Sequence, residues 1–157
     1  MATYTLHKTQ KLPISLEKAW DFFSSPKNLK AITPEYMGFN ILSGTDKRTY
    51  PGQIIEYTVK PVLGIPMYWM TEITQVRDME FFIDEQRVGP YAMWHHQHFF
   101  KAIEGGVEME DIIHYRLPLG PLGSIAHALF VKRQLEGIFA YRFKTLEDKW
   151  GSIGNPK

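Results

Sequence analysis

Residues 94–117 read WHHQHFFKAIEGGVEMEDIIHYRL, and the rest of the fold can be worked out from this stretch. Polar and apolar residues alternate on both sides of the pair Gly105-Gly106, which is typical of β-strands that turn one face to a core. A glycine pair between two such runs is typical of a two-residue hairpin turn. The stretch therefore predicts two antiparallel strands, near 91–104 and 107–117.

The predicted hairpin sorts its side chains onto two faces. With the glycine pair as the turn, Glu104 lies opposite Val107, and the same register sets His98 opposite Ile113. One face is rich in charged residues, which suits solvent. We expect the other face to be covered, and it carries Trp94, His96, His98, Phe100, Met109, Asp111, Ile113, Tyr115 and Leu117.

Other strands and two short helices precede this hairpin. Ser15 and the pair Ser25-Pro26 are typical of helix N-termini, and each begins a short helical pattern after the first strand. Glycine and proline turns separate the remaining strands. The strands are predicted over Thr3–Leu12 and near 39–43, 52–60, 67–77 and 80–88.

The last pattern is a long helix from Ser124 to about Trp150. Its buried stripe is predicted to hold Leu129, Leu135, Ile138, Phe139, Arg142, Phe143 and Leu146. This helix is the element long enough to cover the apolar face of the sheet. The predicted fold is therefore α+β, with a curved antiparallel sheet of about seven strands wrapped around a long C-terminal helix. We expect residues 1–157 to form one domain.

The composition argues against several classes of function. Eighteen Lys and Arg and 17 Asp and Glu give a net charge of +1, with no basic run, so we expect no nucleic-acid partner. The chain has no cysteine, which excludes disulfides and thiolate metal sites and fits a cytoplasmic location. No segment approaches the ~20 apolar residues of a membrane span, so we expect no stable membrane insertion.

The covered face of the hairpin contains an unusual polar group. His96, His98 and Asp111 lie on it, and a turn at Gly89-Pro90 would bring Asp84 close to His96. Buried polar groups need partners, so these four form either an internal network or the polar end of a pocket. They are the candidate catalytic residues. Two histidines with a carboxylate could also ligate a metal, but nothing in the spacing requires one, and we expect no metal and no other cofactor.

A pocket between the sheet and the helix would draw on residues of several strands. The segment 61–67 is an apolar loop that would serve as a pocket entrance or pack on the end of the helix. Arg142 lies close to the apolar stripe and could reach an inward carboxylate. The predicted pocket residues are Trp69, Phe82, Gln86, Trp94, His96, His98, Phe100, Asp111, Ile113, Tyr115, Phe139 and Arg142.

Four segments carry a resemblance to a known family: FIDEQRVGPY at 82–91, WHHQHFF at 94–100, DIIHYRLP at 111–118 and IFAYR at 138–142. With this order of elements, the chain resembles the START-like or SRPBCC superfamily, which includes the birch-pollen-allergen fold, polyketide cyclases and coenzyme Q-binding proteins. The segments are similar to a bacterial branch with cyclase/dehydrase-like and cell-division-inhibitor-like members. The resemblance implies a helix-grip fold whose cavity holds a hydrophobic ligand. It implies no catalytic residues.

Three functions follow as hypotheses. The first is binding of a small hydrophobic partner, namely a lipid, an isoprenoid or an aromatic or polyketide-like metabolite. The second is a cyclase or dehydratase that uses a His/Asp acid–base pair in the same cavity. The third is an interaction module in cell division or stress. We expect binding rather than catalysis, because the sequence does not show that the polar groups converge on one substrate atom.

Overall fold

The computed structural model describes residues 2–153 and shows seven antiparallel strands in one sheet. The strand order is β1-β7-β6-β5-β4-β3-β2. The first strand therefore lies at one edge of the sheet, beside the last strand, and β2 lies at the other edge. The strands are β1 (Tyr4–Leu12), β2 (Asn40–Ser43), β3 (Gln53–Val62), β4 (Ile65–Arg77), β5 (Phe81–Val88), β6 (Met93–Ile103) and β7 (Gly106–Arg116).

Short helices separate β1 from β2, and a long helical segment follows β7. Ser15 caps the first helix, since its side chain accepts a hydrogen bond from the Lys18 amide. The short elements are α1 (Leu16–Phe23) and 3-10 turns at Pro26–Ile32 and Glu35–Met37. The C-terminal helix comprises α2 (Pro121–Ala126), a π-helical turn (His127–Val131) and α3 (Lys132–Trp150). This confirms the predicted α+β fold.

The register of the β6–β7 hairpin differs from the predicted one. Ile103 pairs with Gly106, so the turn is Glu104-Gly105, and His98 lies opposite Asp111 instead of Ile113. Gly105 takes a φ of +77°, which suits glycine. Gly106 cannot carry a side chain, because a Cβ atom there would lie 2.0 Å from the carbonyl oxygen of Leu12 in β1. The shift is two residues, so every side chain keeps its predicted face.

The buried stripe of the C-terminal helix also needs one correction. Leu129 was expected on it but is 72% exposed, whereas Leu135 is buried. In a helix of about 3.6 residues per turn, a residue six positions before Leu135 points away from the stripe. Val131, four positions before Leu135, takes the inward place and is buried. The helix also begins earlier than predicted, at Pro121 instead of Ser124.

The predicted loop at 61–67 is a tight hairpin between β3 and β4. Leu63 and Gly64 form its tip with φ values of 49° and 69°, which is the geometry of a type I′ turn. Leu63 is 92% exposed, so the tip does not pack on the helix. The base does contact the helix, because the amide of the Gln134 side chain donates a hydrogen bond to the Pro61 carbonyl.

The covered face of the sheet packs against α1 at one end and α3 along its length. Near α1, the fully buried Leu12, Val107 and Leu146 join Trp20 and Phe100 in one apolar cluster. A second cluster joins β1 and β7 to α3, through residues that include Ile113 and Phe139. Among the helices of residues 2–153, none is long and apolar enough to cross a membrane.

Candidate functional site

A cavity of about 210 Å³ lies between the inner face of the sheet and helix α3. Its far wall is formed by α1 and the 3-10 turn that follows it. Most of the side chains around it are apolar or aromatic, and the histidine and charged ones cluster where β5 and β6 meet α3. Among the predicted pocket residues, those that line the cavity are Trp69, Phe82, Trp94, His96, His98, Phe139 and Arg142.

The other predicted pocket residues lie near the cavity without lining it. Asp111 is buried behind the two histidines. Phe100 packs against Trp20 in the cluster near α1. Gln86 ties the β5–β6 turn together, because its side chain donates to the Tyr91 carbonyl and accepts from the Tyr91 amide. The remaining two, Ile113 and Tyr115, pack against α3.

Several lining residues were missing from the sequence prediction. Most of them come from strands β3 and β4 and from the short helical segments, and the others lie on α3, in the β5–β6 turn and just before β2. Alternation along β3 could have revealed three of them, since Ile55, Tyr57 and Val59 share the buried face. The main lining residues missed in this way are Phe23, Leu29, Ile32, Met37, Phe39, Ile55, Tyr57, Val59, Thr71, Ile73, Tyr91, Gln134, Leu135 and Ile138.

Two buried histidines form the centre of the polar cluster. The alternation of β6 sends both to the inner face, and their ring centroids are 3.7 Å apart. His96 Nε2 lies 2.8 Å from Asp111 Oδ1, and His98 Nε2 lies 2.8 Å from Asp84 Oδ2. His98 Nδ1 also lies 2.9 Å from Asp111 Oδ1, as a charge contact without hydrogen-bond alignment. Each carboxylate therefore has a histidine partner, and His98 lies between the two carboxylates.

Neighbouring strands set these contacts. Asp84 of β5 lies opposite His96, as the turn at Gly89-Pro90 predicts. Asp111 of β7 lies opposite His98 on the other side of β6. Arg142 enters from α3, with its Nη1 atom 3.5 Å from Asp111 Oδ1. Three strands and one helix thus converge on one buried group of charges.

Both carboxyl groups of the cluster are held ionised. Burial raises the pKa of Asp111, but the charge of Arg142, the hydrogen bond from His96 and the close contact with His98 outweigh it, so that the pKa falls well below 3.8. Burial likewise raises the pKa of Asp84, while the hydrogen bond from His98 and the charges of both histidines bring it below 3.8. Two buried negative charges are therefore compensated by their neighbours.

The two histidines differ in protonation. Burial and the charge of His98 lower the pKa of His96 below 6.5, although Asp111 and Asp84 favour its charged form. Burial also disfavours the charged form of His98, but its contacts with Asp111 and Asp84 prevail and raise its pKa above 6.5. His98 is therefore the more readily protonated ring of the pair, and at neutral pH His96 is neutral.

The cluster also has the composition of a metal site. Asp84, His96 and His98 each offer a ligand atom, and these atoms lie within 4.8 Å of one another. Two histidines with one carboxylate are a known donor set for iron(II). The guanidinium of Arg142, which approaches Asp111 to 3.5 Å, opposes a further cation at this place. The arrangement therefore suits hydrogen bonding and proton exchange with a bound molecule better than metal binding.

A second, neutral polar group lies on the cavity wall. The Trp69 indole donates a hydrogen bond to the Thr71 hydroxyl at 3.0 Å, and the Tyr57 hydroxyl lies 3.2 Å from the same oxygen. Burial raises the pKa of Tyr57, so the phenol stays protonated. These groups could offer one hydroxyl proton to a ligand.

The sheet order, the long C-terminal helix and the short helices after β1 define the helix-grip fold of START-like proteins. The chain is similar to the solved structure of TTHA0849 from Thermus thermophilus, with a TM-score of 0.68 and 15% identity over 93% of this chain and 96% of that one. Ara h 8.0201 gives a TM-score of 0.61 and 16% identity, over 94% and 99% of the two chains.

The solution structure of the protein KanY has a TM-score of 0.70 at 10% identity and covers 95% of this chain and 98% of that one. At such identities the likeness concerns the fold. No family model matches the sequence, and no curated protein matches it.

Proposed function

We propose that this protein binds a small, largely apolar molecule in the cavity between the sheet and α3, with a polar group of that molecule facing the His/Asp/Arg cluster. The observation that carries the proposal is the contrast within one cavity. Its walls are mostly aromatic and aliphatic, and the histidine and charged side chains that line it are concentrated in the buried cluster. Apolar enclosure with a few convergent polar groups is the general design of small-molecule sites.

The cavity volume favours a compact ligand. A cavity of ~150 Å³ in an engineered protein holds one benzene molecule. The cavity here, at about 210 Å³, has room for a molecule somewhat larger than a single ring. The indoles of Trp69 and Trp94 meet edge to face on its wall, with centroids 5.4 Å apart. Of the candidate ligands, an aromatic metabolite therefore fits better than a long lipid or isoprenoid.

Titration calorimetry with two matched probes tests this proposal. The probes are naphthalene-2-carboxylate and naphthalene-2-carboxamide, which have nearly the same shape and differ in charge. We expect at least one to bind the wild-type protein. Ile138→Trp fills the cavity from α3 and should abolish binding. Ala140→Trp introduces the same side chain at an exposed position of α3 and should leave binding unchanged.

The proposal fails if neither probe binds a wild-type protein whose NMR spectrum shows it to be folded. It also fails if Ile138→Trp binds as tightly as wild type, because binding would then occur outside the cavity. Loss of binding in both tryptophan variants would contradict it too, since the exposed change does not touch the cavity.

A second candidate function is acid–base catalysis, and one observation favours it. The neutral His96 lines the cavity, and Asp111 holds its Nε2 atom at 2.8 Å, so that Nδ1, which lies 3.7 Å from Asp84 Oδ2, is the nitrogen left to act as a base. An oriented neutral imidazole can remove a proton next to a carbonyl group. Deuterium exchange of the enolisable aromatic ketone 2-tetralone, followed by NMR, would measure this activity.

For this second function, exchange should be faster with the protein than without it. A general base contributes ~10²–10⁴-fold, so His96→Asn should remove nearly all of the acceleration. His95→Asn, on the other face of β6, is the matched control and should retain it. Equal rates with and without wild-type protein would contradict catalysis of this kind and leave the binding function intact.

A further inference from the structure

Arg142 is a buried cation whose donors are largely unused. Its side chain lines the cavity and the residue is 8% exposed. The Nε atom is buried and has no hydrogen-bond partner among residues 2–153. A guanidinium carries five N–H donors. The one ion-pair contact found for it in the described part of the chain is the 3.5 Å approach of Nη1 to Asp111.

Asp111 makes only a long contact with this guanidinium. Its Oδ1 atom already has His96 Nε2 at 2.8 Å and His98 Nδ1 at 2.9 Å, both closer than Arg142. Leaving buried donors without acceptors is costly, and the cost is greater for a charged group. The remaining donors of Arg142 therefore call for an acceptor that the protein itself does not supply.

Two aromatic rings hold the guanidinium in place. Its central carbon lies 5.2 Å from the ring centre of Phe23 and 5.5 Å from that of Phe139. These contacts favour the positive charge and restrict the side chain without using any of its N–H groups. Both phenylalanines also line the cavity. The result is a fixed cation, flanked by apolar rings, at the polar end of an aromatic cavity.

We propose that the cavity ligand is a small aromatic carboxylate whose carboxylate group pairs with Arg142; this rests on the proposed binding function. A guanidinium matches a carboxylate with two parallel hydrogen bonds, which a neutral amide or a hydroxyl cannot reproduce. The aromatic body of such a ligand would pack along the cavity wall to which Trp69 and Trp94 contribute.

The other charges around the cavity permit a further anion. Asp84 and Asp111 are negative, and each has a short contact with a histidine. His98, whose two ring nitrogens lie within 2.9 Å of these carboxylates, and Arg142 oppose their charge. The negative charge of the cluster is therefore compensated before a ligand binds, and Arg142 is the member with unused hydrogen-bond donors.

The same two naphthalene probes test this inference at neutral pH on the wild-type protein, where no variant needs to fold. We expect the carboxylate to bind about tenfold more tightly than the carboxamide, or better. Arg142→Gln should remove this preference, and Arg142→Lys, which keeps the charge but loses the planar fork, should restore part of it. Arg133→Met removes an exposed arginine of the same helix and should leave the preference unchanged.

The outcomes separate this inference from the function on which it rests. If both probes bind the wild type equally, the carboxylate assignment is wrong while cavity binding stands. If neither probe binds, the binding function itself is wrong. A preference that survives in a folded Arg142→Gln protein would also overturn the assignment, because another group would then be recognising the carboxylate.

Discussion

The imidazole rings of His96 and His98 lie against each other, with their centroids 3.7 Å apart and their planes inclined by 34°. Asp84 contacts the pair from β5 and Asp111 from β7. Two adjacent imidazoles in a buried site do not both carry a full charge easily, because like charges repel strongly where water is excluded. The contacts assign the proton to His98, and this asymmetry leads to the first predictions.

Replacement of His98 should destabilise the protein more than replacement of His96. His98→Gln removes a cation that lies between two buried carboxylates, and the loss of one partner of a buried ion pair costs about 3–5 kcal/mol. His96→Gln removes a neutral hydrogen-bonding group, for which we expect a loss of about 1 kcal/mol. Urea unfolding followed by tryptophan fluorescence measures both.

His95→Gln is the control for this comparison. His95 lies on the other face of β6 and is partly exposed beside Glu85. We expect it to change the free energy of unfolding by less than about 1 kcal/mol. Equal losses for the His96 and His98 variants would show that the charge is shared between the two rings.

The protonation of the histidines can be observed directly. Long-range proton–nitrogen NMR spectra should show His98 with both ring nitrogens protonated at pH 6.5 and a pKa above that value. His96 should remain neutral there, with its proton on Nε2 facing Asp111, and titrate below pH 6.5. The His96→Gln and His98→Gln spectra assign the signals. A reversed order of the two pKa values would contradict the geometry.

The two carboxyl groups should make the protein sensitive to acid. Because the pKa values of Asp84 and Asp111 are lower in the folded state than the ordinary 3.8, the unfolded state binds more protons in acid. The stability that these groups contribute is present above pH 3.8 and is lost as the pH falls through their folded values.

Asp111→Asn tests this acid dependence. At neutral pH it should lower the free energy of unfolding by about 3–5 kcal/mol, since it leaves buried cations without a partner. The difference from wild type should shrink as the pH falls below 3.8, because Asp111 of the unfolded wild-type chain then takes up a proton that the folded protein binds only at lower pH. Asp148→Asn, at an exposed site of α3, should show the same dependence of the free energy of unfolding on pH as the wild-type protein. A constant difference across the acid range would be inconsistent with a low pKa of Asp111.

Two leucines of the C-terminal helix provide a test of its orientation. Leu146→Ala empties a fully buried position and should cost about 2–5 kcal/mol. Leu129→Ala changes a side chain that is 72% exposed and should stay within about 0.5 kcal/mol of wild type. Thermal and urea unfolding of both variants make the comparison. A large effect at Leu129 would mean that this face of the helix is covered.

The sequence predicts the strands, the helices and the face on which each side chain lies more readily than it predicts which residues contact one another. Alternation has a period of two, so a register error of two residues in the β6–β7 hairpin left His98 and Asp111 on the correct face. The same error assigned His98 the wrong neighbour. The prediction of the buried helical stripe did not tolerate such an error. With about 3.6 residues per turn, the face on which Leu129 lies depends on the exact number of residues that separate it from the buried Leu135.

Local pattern was enough to establish that this chain forms one antiparallel sheet, a long final helix, and an inner face that carries two histidines and carboxylates. Those properties follow from periodicity and turn chemistry, which act over a few residues. The carboxylate that each histidine contacts was set by tertiary packing, because those distances depend on the register of three strands. Packing also brought Arg142 to the cavity with unused donors, since helix and sheet meet only when the whole chain has folded.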